Sequence, residues 1–136
     1  MKRFEPPGEN DVARRFLSPD GMVVLVGRDA RSNDVLTTQV ASQRDFWMHV
    51  AGTSGSHVVV RNPEGLDALP RDTLRFAAAL AAKHSKAKNA GKVAVHVARV
   101  SDVRKERGSP AGQVVLRRYR SVKAEPVAAE GARELD

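Results

Sequence analysis

Two histidines, His49 and His57, flank the loop Ala51-Gly52-Thr53-Ser54-Gly55 and lie close to the chain's one tryptophan, Trp47. Imidazoles titrate near neutrality, so a pair of them suits general acid and base work on a phosphodiester. An indole beside them offers a face on which an unpaired base can stack. Asp45 and Arg61 bracket the same stretch with opposite charges. Whether these groups meet depends on strand pairing. If Asp45 to Val50 and Ser56 to Arg61 form one hairpin with Val50 opposite Ser56, His49 falls opposite His57, Trp47 opposite Val59 and Asp45 opposite Arg61, all on one face. The other face carries Phe46, Met48, Val50, Val58 and Val60 and is the predicted core side. Trp47 and the histidines are then exposed or half-exposed. The pattern also fits a tryptophan covering a small second core, with the histidines bonded to backbone. Metal binding needs a third ligand, and Asp45 stands two rungs away, so no metal is expected.

The elements that would position this hairpin read as α+β: a mostly antiparallel sheet with one long amphipathic helix and one shorter helix. Phe16 and Leu17, the turn-like Ser18-Pro19-Asp20-Gly21 and the run Met22 to Gly27 predict a first hairpin. Ala30 to Ser42 predicts the shorter helix, with Val35, Leu36 and Val40 inward, weakened by Asn33, Thr37 and Thr38. Leu69 to Asn89 predicts the long one, with Pro70 in its first turn and Gly91 past its end. On that helix Leu74, Phe76, Ala77, Leu80, Ala81 and His84 share one side, and Arg71, Arg75, Lys83 and Lys86 the other. His84 among apolar neighbours reads as a partly buried, hydrogen-bonded histidine. Further strands are predicted in VAVHVARV, AGQVVL and YRSVKA. His96 lies in the first of these and receives no role. Residues 1–13 and 125–136 read as flexible termini around one folded unit, 14–124.

Charge points to the ligand class. The 136 residues hold 23 Lys and Arg against 16 Asp and Glu, a net charge of +7. Between Lys83 and Lys123 twelve bases face only Asp102 and Glu106, so that segment alone carries +10 and the remainder is acidic. A concentrated positive field attracts polyanions by phosphate contact and counterion release, although a solvated basic surface also keeps a protein soluble. Cysteine is absent, which excludes disulfides and thiolate metal sites. No membrane span or secretory leader is visible, and the expected location is cytoplasmic.

FLSPDGMVVLVGR from Phe16, then Asn33-Asp34, Leu36-Thr37, and D-x-W-x-H followed by G-S-H-V-V resemble the NFACT-R domain. So do the helix from Pro70 with its AAALAAKHSKAK end and the basic RKERGSPAGQVVL. The resemblance covers Phe16 to Val122. It implies binding of structured RNA, tRNA or rRNA, or of the large ribosomal subunit, in translation quality control or RNA metabolism. The long NFACT proteins carry a tRNA-holding domain, a helix-hairpin-helix segment and a coiled coil for which this chain has no room, so a stand-alone NFACT-R protein is expected and tailing activity is not carried over. Where Lys83 and His84 stand, the family usually carries aromatic residues, and this chain departs from it there.

Matched position by position, the resemblance marks Asp45, Trp47, His49, Gly55, Ser56 and His57, and before them Arg28, Asn33 and Asp34. Arg28 suits a phosphate contact or a pairing with Asp29 or Asp34. Gly27, Gly52 and Gly55 suit turns that need positive φ. Gly108-Ser109-Pro110 is a turn or an amide cradle for phosphate. The expected RNA contacts are these polar and aromatic positions together with Arg71, Arg75, Lys83, Lys86, Lys105 and Arg107. The expectation is a non-catalytic RNA-binding domain without cofactor. The alternatives are an RNA-processing or RNA-modifying enzyme using His49 and His57, and an adaptor docking on ribosomal protein.

Overall fold

The computed structural model describes residues 7–135. The expectation of flexibility over residues 1–6 and 136 lies outside the described residues. The chain forms a large antiparallel sheet with few helices: β1 (Ala13–Leu17), β2 (Val23–Gly27), β3 (Phe46–Val50), β4 (Val58–Val60), β5 (Val93–Arg99), β8 (Arg120–Ala124) and β9 (Glu134–Leu135), in the order β8-β5-β3-β4-β2-β1-β9. β6 (Val103–Arg104) and β7 (Val115–Leu116) make a separate two-stranded ribbon. The helices are α1 (Glu9–Val12), α2 (Ala30–Val35) and α3 (Arg71–Lys83).

Both expected hairpins form, the second in the expected register. Leu17 pairs with Val23 across the Ser18–Gly21 turn, where Gly21 has a φ of 81°. Phe46, Trp47 and Met48 pair with Val60, Val59 and Val58, the alignment that sets Val50 against Ser56.

The sheet is covered on both faces. On one, α3 packs over Phe46, Met48, Val58, Val60, Val24, Val26, Val95 and Val97. The other is the Trp47 face. Leu25, Trp47, Val59 and Ala98 meet Val12, Leu36 and Val100 in a second core supplied by α1, α2 and the turn after it. That turn, Leu36–Val40, is π-helical and closes with Ala41 N–H donating to Leu36 O at 2.9 Å. The wide turn falls where Thr38 Oγ1 donates back to Asp34 O at 2.7 Å, a bond that competes with regular helix geometry.

The helix α3 differs from its expected form. It stops at Lys83, and every residue from Phe76 to Ala82 is buried, so its C-terminal half has no basic outer face. The cause is on its far side. A 3-10 turn at Pro126–Ala129 packs against it, with Ala129 wholly buried. Beyond that turn β9 pairs with β1, and Arg14 donates to both carboxylate oxygens of Glu134. Residues 125–135, expected as a flexible tail, supply these elements.

Candidate nucleic-acid interface

On the Trp47 face three histidines stand in a row across adjacent strands. His57 precedes β4, His49 lies on β3, and His96 on β5 is paired directly with His49. The rings of His49 and His57 are 5.7 Å apart. Trp47 stacks on His49 at 5.9 Å and 13°, and meets His57 edge-on at 5.2 Å.

This corrects the expectation of an exposed indole. Trp47 is 2% exposed, and its Nε1 makes no hydrogen bond among the described residues. It is the floor of the second core, the alternative that the strand pattern left open. Alternation placed it on the face away from α3, but that face has a covering layer of its own.

His57 is 1% exposed and both ring nitrogens are engaged. Nε2 lies 2.9 Å from Gly112 O, which can only accept, so Nε2 carries the proton and Nδ1 accepts from the Thr37 hydroxyl at 2.8 Å. Burial drives its pKa down to about 4, with the Gly112 carbonyl opposing. The ring is a neutral clip between the π-helical turn and the 105–113 loop. His49 is half-buried, and burial lowers its pKa, partly offset by backbone groups of Val50 and Gly55. A two-histidine acid and base pair is therefore not assembled, since His57 has no nitrogen to offer a substrate.

Several other expected contacts are also structural. Asp45 is buried and accepts from Ser42 N and Asn62 N, both at 2.8 Å, with Arg61 at 3.2 Å. Asn33 is buried and its Oδ1 accepts from His57 N. Asp34 accepts from Gly112 N and pairs with Lys105 at 3.1 Å. Lys105 Nζ also donates to Pro110 O at 2.6 Å and Gln113 O at 2.9 Å, so all three ammonium protons are used internally. Ser56 Oγ donates to Gly27 O. Ser109 N and Oγ both donate to Glu106 O, making Gly108-Ser109-Pro110 a plain turn.

An open groove of about 1410 Å³ runs where the second covering layer ends. Its floor includes His49, His96 and the edges of Trp47 and His57, and Lys83, Lys86 and Lys88 line it. These lysines are held there by a local zipper. Ser56 N donates to His84 O at 2.9 Å and Lys86 N to Ser54 O at 3.0 Å. Gly55 is required at this seam, because a Cβ there would lie 2.7 Å from Ser85 Cβ. Gly27 is likewise a close-approach glycine against Asn33, and of the three glycines only Gly52 has positive φ.

Of the predicted bases, Lys83 and Lys86 line the groove. Arg28, Arg71, Arg75 and Arg107 are exposed but do not line it, and Arg28 donates to Ala13 O. Lys88 and His96 line it without having been singled out by the sequence. A pairing of β5 with β3 would have found His96, but that contact joins segments distant along the chain. His84 sits at the end of α3, its ring 6.1 Å from Phe16, with its pKa lowered by burial first and then by Arg14 and Lys83. Among the described residues no cluster of His, Asp or Glu could hold a metal ion, and no helix is long and apolar enough to cross a membrane.

A family model described as the NFACT protein RNA binding domain matches residues 13–118. The chain belongs to the NFACT-R family. Among its relatives is the Rqc2 homolog RqcH of Bacillus subtilis, 37% identical over 84% of this chain and 19% of that protein. Another is the ribosome quality control complex subunit 2 of Schizosaccharomyces pombe, 35% identical over 53% of this chain and 7% of that protein. A solved structure, the C-terminal part of the fibronectin/fibrinogen-binding protein from Streptococcus suis, superposes with a TM-score of 0.81 at 28% identity, covering 98% of this chain and 51% of that one. The NFACT-R chain thus spans about one fifth of the length of the bacterial RqcH relative. In this NFACT-R domain the two-faced sheet places a basic groove beside a sealed indole.

Proposed function

We propose that this NFACT-R domain binds structured RNA, tRNA or rRNA, in a ribosome-associated quality-control setting in the cytoplasm. The observation that carries the reading is the groove in which Lys83, Lys86 and Lys88 stand over half-buried imidazoles. The family description and the ribosome quality control relatives support it. Lysines at a helix C-terminus also complement the macrodipole, but that accounts for Lys83 alone and not for Lys86 and Lys88 beyond the helix end. The groove exceeds the volume usual for small-molecule pockets and is open along one side, as a polymer backbone requires.

The test is filter binding of tRNA and of an rRNA fragment across a range of salt concentrations. Affinity should fall steeply as salt rises. Replacing Lys83, Lys86 and Lys88 together by alanine should reduce the slope of log K against log salt by about 2 to 3, at roughly 0.7 to 0.9 for each phosphate no longer neutralised. Absence of affinity for either RNA at low salt, or an unchanged slope in the triple variant, contradicts the reading.

A further inference from the structure

His96, which lines the groove, packs on its far side against one aromatic ring that the second core does not cover. Tyr119 is 52% exposed, while Phe16, Phe46, Phe76 and Trp47 are all buried. It is not a loosely hanging side chain. Its ring lies 4.6 Å from that of His96, tilted by 48°, within the range of favourable ring packing. His96 pairs with Ser121 on β8, so alternation puts Tyr119, Ser121 and Lys123 on the groove side of the sheet, in line with His96, His49 and His57. At about 4.8 Å per strand, Ser121 stands about 14 Å from His57 along this row, and Tyr119 lies two residues from Ser121 along the chain.

Lys123 is exposed on the same face of the sheet. Arg118 and Arg120, the chain neighbours of Tyr119, are exposed with no ion pair or side-chain hydrogen bond among the described residues, and alternation turns Arg120 to the other face. Arg117 holds Asp102 at 3.3 Å but is 78% exposed. A solitary surface aromatic needs no explanation. One packed against an imidazole that lines a basic groove, with an exposed lysine on the same face, has the composition of a stacking platform with a phosphate contact.

We propose that Tyr119, backed by His96, stacks against one unpaired nucleobase of the bound RNA, while Lys123 on the same face holds an adjoining phosphate. This inference rests on the RNA-binding reading above and adds to it a preference for RNA with unstacked bases at this end of the groove. The His96 ring restricts one side of the tyrosine, which reduces the side-chain freedom lost on binding.

The experiment uses the full chain and two fluorescent probes, a mixed-sequence single-stranded RNA and a fully paired RNA duplex carrying the same number of phosphates. Fluorescence anisotropy gives Kd for the unmodified protein, Tyr119→Ala and Tyr119→Phe. Tyr119→Ala should weaken single-strand binding by about 5-fold to about 150-fold and change duplex binding by less than about twofold, while Tyr119→Phe retains single-strand affinity. Equal affinity of Tyr119→Ala and the unmodified protein for the single strand overturns the platform and leaves the RNA reading standing. So does an equal loss on both probes, which reports a general change in charge or fold. Failure of the unmodified protein to bind either probe overturns the RNA-binding reading itself.

Discussion

His57 makes the stability of the domain depend on pH in a window its own environment defines. In the unfolded chain an imidazole titrates near 6.5, and in the fold burial lowers His57 to about 4. Between those values the unfolded state holds a proton that the folded state does not, so stability rises with pH across the window and falls as pH drops through it. The full difference is about 3 kcal/mol, at about 1.4 kcal/mol per tenfold change in proton affinity. At pH 5 about 2 kcal/mol of it is lost relative to pH 7.5. Burial lowers His49 and His84 in the same direction, so they add to the loss. The assay is urea unfolding followed by the fluorescence of Trp47, the one tryptophan and itself buried. A loss of about 2 kcal/mol moves the midpoint by about 1 M. His57→Gln should start less stable at pH 7.5, because the Thr37 and Gly112 bonds are disturbed, and should lose most of the pH dependence. A midpoint in the unmodified protein that is flat from pH 7.5 to 5, or a His57→Gln variant that keeps the whole drop, refutes the assignment of a buried neutral ring.

Trp47→Ala should cost about 3 to 5 kcal/mol of stability by emptying the second core, whereas Trp47→Phe should fold and bind RNA within about twofold of the unmodified protein; a folded Trp47→Phe that has lost RNA binding would place the indole at the interface. Gly55→Ala should lower stability by about 1 to 3 kcal/mol by forcing the 51–57 loop off Ser85, and an unchanged thermal midpoint would show that the seam yields without cost.

The hairpins are legible because their register is a local property. A turn of known composition and a strict alternation leave one alignment that keeps Phe46, Met48, Val58 and Val60 together, and the same alignment brings Asp45 to Arg61. The end of α3 is not legible for the opposite reason. Ala82 to Lys88 favours helix by composition, yet Ser54 and Ser56 take the backbone groups of Lys86 and His84 into a loop-to-turn zipper, a tertiary contact that overrides propensity. The open face of the sheet is unreadable too. Alternation states which side chains share a face but not whether something covers it. Here the cover over Trp47 is a six-residue helix and a π-helical turn whose inward set, Val35, Leu36 and Val40, is visible in the sequence without its destination.

Within the +10 segment from Lys83 to Lys123, a base can bond a phosphate directly only if its own donors are not already spent. Lys105 is spent on two carbonyls and Asp34. Arg99 is spent on the carbonyls of Leu66 and Asp67 and the ring of Phe46. What remains without partners along the groove, among the described residues, is Lys83, Lys86 and Lys88, with the exposed Lys123 beyond them on the sheet face that carries the histidine row. On the proposed RNA-binding reading, a polyanion lying across that row meets these bases, and the buried His57 beneath it, being neutral, neither attracts nor repels it. The bases open to such a ligand are the ones the fold left without partners, and the count of basic residues alone could not distinguish these from the ones that hold the loops together.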